Sequence, residues 1–148
     1  ANRREPYLGW ENFRAHIFKG LDIYSKLAKP KKALQASLHY VNRIKFDEDP
    51  SEYVLFVPPM FQYADTFQSF TCHTHQTFKS GDSIIVSSSK DPAVEKRPAL
   101  ILNIVYTTPL PSLDRKSLKT VVEKGHEVVI KAFEKSITDK QRERMAKL

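Results

Sequence analysis

The chain has 148 residues, of which 41% are apolar and 28% charged, and its net charge is +7. That length suits one domain with a real core, and no apolar run approaches the roughly 20 residues that cross a bilayer, so no membrane role is expected. The single cysteine excludes an internal disulfide, and the opening ANRREPY has no apolar stretch of the kind a secretion signal carries; the expected setting is the cytoplasm.

The charge is uneven. Residues 1–45 hold ten Lys/Arg against three Asp/Glu, residues 46–111 four against eight, and residues 112–148 ten against six. A basic balance admits nucleic acid, anionic membranes or acidic proteins as partners without choosing among them.

In LGWENFRAHIFKGLDIYSKLA, the residues Trp10, Phe13, Ile17, Leu21, Tyr24 and Ala28 recur every three or four positions. This draws one apolar stripe on a helix. Gly20 inside it costs about 1 kcal/mol relative to Ala, and close approach of a neighbouring element would explain it. Pro30 ends the helix. ALQASLHYVNRIKF then alternates: Leu34, Ala36, Leu38, Tyr40 and Ile44 share one parity, Gln35, Ser37, His39, Arg43 and Lys45 the other. It reads as a strand with one buried face. An acidic connection follows, with a helical turn after Pro50 and the extended breaker VPPM.

FQSFTCHTHQTF is the second predicted strand and DSIIVSSSK the third, joined by the turn Ser80-Gly81-Asp82. ALILNIVYTT is the fourth, apolar on both parities as a central strand is. The short links predict an antiparallel meander. A long helix follows, capped by Ser112 or Asp114, with Leu118, Val121, Val122, Gly125, Val129, Ala132 and Phe133 as its stripe. Thr138 or Asp139 would cap a short basic tail helix. The expected fold is α+β: a mostly antiparallel four-stranded sheet with an N-terminal helix and a long C-terminal helix packed on it. Trp10, Phe13, Tyr40, Leu102, Val129 and Phe133 are the expected core.

FTCHTHQTFK gathers Cys72, His73 and His75. On a strand the two histidines share a face and Cys72 takes the other, so the three form no single ligand set. His39, on a polar strand face, could be a third ligand, and a metal-dependent enzyme using His73 and His75 is the third-ranked reading. His126 borders the long helix's stripe, either as a boundary residue or as a general base with no matched acid. Ser87, Ser88 and Ser89 have no nucleophile frame, and the sequence holds no phosphate loop, dinucleotide fingerprint or zinc-finger spacing; no cofactor is expected.

The cluster KLAKPKK, with two cations of the first strand, makes a candidate partner-binding patch of Lys29, Lys31, Lys32, Arg43 and Lys45. Complementing the helix dipole is the plainer role of those lysines. The leading reading is a non-enzymatic interaction module that binds a protein partner or itself. An electrostatic nucleic-acid-binding protein is the alternative.

YLGWENFR, LHYVNRIKF and HEVVIKAFEKSIT, with PSEYVLFVPP between them, resemble a sporadically distributed family of bacterial proteins of unknown function. The resemblance rests on Trp10, Phe13, Tyr40, Asn42, Arg43, His126, Phe133 and Ile137. It implies a longer parent with strands before the Trp-containing helix, of which this chain would be the C-terminal portion. The lack of an initial methionine agrees with that. It implies no activity, and Asn103 departs from the acidic residue the family often carries there. On this reading the edge of the first strand was paired in the parent and is left open to self-association.

Overall fold

The computed structural model describes residues 9–47, 49–57, 70–91, 98–110 and 112–147. Helix α1 (Trp10–Ala28) leads into strand β1 (Gln35–Lys45), and a 3₁₀ turn (Pro50–Glu52) follows. Strands β2 (Thr71–Thr77), β3 (Ser83–Lys90) and β4 (Ala99–Pro109) come next, then helices α2 (Arg115–Ser136) and α3 (Asp139–Met145). VPPM beyond Val57 and the first residues of the predicted second strand lie outside the described residues.

The four strands form one antiparallel sheet in the order β1-β4-β3-β2. The meander is therefore present, and β1 reaches β4 only through the long connection after it. β4 is central, as its double-parity apolar pattern requires. Its even residues Leu100, Leu102, Ile104 and Tyr106 are essentially fully buried. Its inner odd residues Ile101, Asn103, Val105 and Thr107 are half-buried, shielded by the strands on either side.

α2 lies across the even-numbered face, over β4 and β1. It buries Leu118, Gly125, Val129 and Phe133. The segment after β1 closes the rest of that face. Val54 bridges to Ile137, the Leu55 amide donates to the Ser136 carbonyl at 2.9 Å, and the Ser88 hydroxyl donates to the Phe56 carbonyl. The caps are chemical as well as positional. The Asp114 carboxylate accepts from the Ser117 amide, and the Thr138 hydroxyl accepts from the Gln141 amide.

Two expectations change. Leu102, Val129 and Phe133 are buried, but Trp10, Phe13 and Tyr40 are only half-buried, and α1 has no buried residue. The physical reason is position: α1 sits beside α2, outside the sheet–helix sandwich, and Tyr40 lies on the edge strand β1. Gly20 also serves no close approach, because a Cβ there would meet nothing within 4 Å. The glycine that does is Gly125, where a Cβ would lie 3.2 Å from the Tyr106 ring and 3.5 Å from Leu38. Its missing side chain lets α2 settle onto β4 and β1.

Candidate functional site

α1 is held by side chains of its inner face. The Trp10 indole stacks on the His126 imidazole, with centroids 3.8 Å apart and planes 5° from parallel. Its Nε1 donates to Glu123 at 3.3 Å, and Arg14 donates to the same carboxylate at 2.6 Å. Just over two turns further on, Arg115 of α2 pairs with Asp22 at 2.8 Å and lies over the Phe18 ring. Arg14 is the main reason that Glu123 is held below the usual carboxylate range.

His126 is the hub of this junction. The Tyr40 hydroxyl of β1 is hydrogen-bonded to its Nδ1 at 2.8 Å, so one ring joins α1, α2 and the sheet. Burial pushes its pKa down, and the carboxylates of Glu123, Glu127 and Glu11 oppose this only in part. With a ring face under Trp10 and Nδ1 on Tyr40, His126 is arranged as a structural tie.

The outer side of α1, and its C-terminal end at Tyr24, are uncovered. Ile23, Tyr24 and Leu27 are 51%, 56% and 81% exposed, and Leu34 beyond the turn is 76% exposed. They are four of the nine large apolar side chains exposed among the described residues, gathered within twelve positions. The helix ends at Lys29, which takes a left-handed conformation (φ 45°) so that its amide closes on the Ser25 carbonyl at 3.2 Å. Glycine usually occupies such a position, and a lysine there is conformationally disfavoured. Lys26, Lys29, Lys31 and Lys32 are exposed and form no ion pair among the described residues.

The sequence-derived patch is thereby divided. Lys29, Lys31 and Lys32 stand together before β1. Arg43 lies eight residues along β1 from Gln35, about 26 Å at about 3.3 Å per residue. It is paired with Asp91, and the carbonyl of Lys45 accepts from Arg144 at 2.7 Å. The extended strand carries the two groups apart.

His73 and His75 are exposed on the odd-numbered face of the sheet, opposite Ser87 and Ile85, while Cys72 is half-buried on the other face. His39 does share a cross-strand row with His75, through Val105 and Ile85. That row puts them at opposite edges, about 14 Å apart at about 4.8 Å per strand. Among the described residues no three His, Cys, Asp or Glu side chains converge as a metal site would need. The serine run is similarly dispersed: Ser88 is buried, and Ser87 and Ser89 face the other way.

Sequence reasoning gave no hint of a second polar cluster. The buried Asp82 carboxylate accepts from Thr108 (2.5 Å), Ser80 (2.9 Å) and Lys124 (2.5 Å). These bonds, Lys124 first, hold it well below the usual carboxylate range. The Tyr106 hydroxyl is buried beside it without completing a hydrogen bond, and burial pushes its pKa up. The arrangement pins the β2–β3 turn to α2, with Lys124 half-exposed at its rim.

No protein family, curated protein or solved structure matches this chain. No helix among the described residues is long and apolar enough to cross a membrane.

Proposed function

We propose that the chain is a non-enzymatic interaction module that docks an acidic protein segment on the solvent side of α1. The observation that carries this is the exposed stripe of Ile23, Tyr24 and Leu27 continuing into lysines that form no ion pair among the described residues. Apolar side chains supply contact area, and the cations select an acidic partner and speed its encounter. Two copies of this stripe would bring lysines against lysines, which favours an unlike partner for this surface.

The test uses a labelled acidic amphipathic peptide as probe and fluorescence anisotropy as readout. The unmodified chain should bind it, and the variant carrying Ile23→Asp and Leu27→Asp should bind at least about tenfold more weakly. Equal binding by the two would overturn the reading.

The unpaired lysines also favour nucleic acid as a second reading. Contact through Lys26, Lys29, Lys31 and Lys32 predicts affinity for a single-stranded oligonucleotide that falls with salt at a logarithmic slope of about −3. On the odd-numbered sheet face the described strand residues include no Phe, Tyr or Trp, and the only rings there for bases to stack on are those of His39, His73 and His75. The lysines would have to carry most of that binding.

A further inference from the structure

We infer that the outer edge of β1 pairs with the same edge of a second copy, extending the sheet across a two-fold axis to eight strands. This edge is distinct from the apolar residues of the α1 stripe, and Lys31 and Lys32 are what the two surfaces share.

β1 is the outermost strand, with β4 on one side and no strand on the other among the described residues. Its register with β4 runs unbroken over all eleven residues from Gln35 to Lys45. Proteins commonly protect such an edge with a proline, a bulge or an inward charge. β1 has no proline and no bulge, and its charged residues Arg43 and Lys45 point to the odd-numbered face. At the middle of the edge, Val41 is 60% exposed.

Charge selects the pairing. Lysines 31 and 32 precede β1, and aspartates 47 and 49 follow it. A parallel pairing would stack lysine on lysine and aspartate on aspartate. An antiparallel pairing centred on Tyr40, the middle residue, uses the whole strand. It sets Gln35 against Lys45, Ser37 against Arg43 and His39 against Val41, with no two cations directly opposed. Continued past the strand ends, it sets Lys31 of each copy level with Asp49 of the other, with Lys32 one position out of step with Asp47, twice per dimer. Opposed residues share parity, so the α2-bearing faces of the two sheets lie on one side, as a continuous sheet requires. The contact is isologous and closes at two copies.

Analytical ultracentrifugation of the full chain tests this, with circular dichroism to verify that each variant is folded. The unmodified chain should approach twice its monomer mass as concentration rises. Lys31→Glu with Lys32→Glu opposes acid to acid, and Asp47→Lys with Asp49→Lys opposes base to base. Each variant alone should dimerise at least about tenfold more weakly. Mixed together they should form a heterodimer, because both junctions then unite opposite charges. A chain that stays monomeric at about 1 mM overturns the inference. So does undiminished dimerisation of the folded reversal variants, or failure of their mixture to associate. The Ile23→Asp, Leu27→Asp chain should dimerise normally, so loss of peptide binding and loss of the dimer are read independently.

Discussion

The two long helices carry comparable apolar stripes and meet different fates. α2 buries five residues against the sheet, and α1 buries none. A period near 3.6 identifies the side of a helix that could be covered, and the neighbouring layer decides whether it is. α2 has a whole sheet face beneath it. α1 has the flank of α2, where one stacked ring pair and two arginine–carboxylate pairs hold it. Stability should therefore depend steeply on α2 and weakly on the outer side of α1.

The largest effect should come from Phe133, which packs with Val129, Leu102 and Ile137 in the core. Phe133→Ala should destabilise the chain by about 3–5 kcal/mol in denaturant unfolding. A loss below about 1 kcal/mol would mean that α2 contributes no more than α1, and the contrast would fail.

Next is the polar tie beneath α2. Asp82→Asn keeps the shape but removes the charge that three donors serve, and should cost about 2–3 kcal/mol. Lys124→Met should cost less, since that ammonium is half-exposed and screened by solvent. Equal losses would show that the ammonium, and not the buried carboxylate, is the limiting group.

The junction between the two helices should respond to pH. His126 has its pKa lowered in the folded chain from an ordinary 6.5, chiefly by burial. Between the lowered and the ordinary value the unfolded chain binds more protons than the folded one. The contribution is thus fully present above about pH 6.5 and is lost as pH falls toward the folded value. Urea titrations at pH 5 and pH 8 should show this loss, and His126→Gln should flatten it. A profile unchanged by that substitution would place the pH response elsewhere.

Much of this architecture is legible in the residues. The alternation from Leu34 to Ile44 marks β1, the double-parity run from Ala99 to Thr108 marks the central strand, and Asp114 and Thr138 mark helix starts by cap chemistry. These signals are local, and local geometry is what periodicity reports. The Asp82–Lys124 contact joins residues 42 apart, and nothing in either neighbourhood announces the other. The proposed patch combined Lys29, Lys31 and Lys32 with Arg43 and Lys45 because they are close in sequence. An extended strand turns that closeness into distance. Tyr24 falls on the predicted stripe because it extends the spacing of Trp10, Ile17 and Leu21, yet it is exposed. The missed signal was that Phe18, Ile23 and Leu27 make the apolar arc of α1 wider than one neighbour can cover.

That wider arc supports the smallest expected effect, which is also the sharpest test of the contrast. Leu27 is 81% exposed, so truncating it removes little buried area. Ala is also the better helix former by a small margin. Leu27→Ala should change stability by no more than about 0.5 kcal/mol in either direction, while Leu21→Ala, one helix face away and half-buried, should cost more. If Leu27→Ala instead cost over about 1 kcal/mol at low protein concentration, the outer side of α1 would be covered within the chain itself. If that cost appeared only as concentration rose, a second copy would be covering it. The acidic-partner reading of this surface requires neither, because it leaves Leu27 free until the partner arrives.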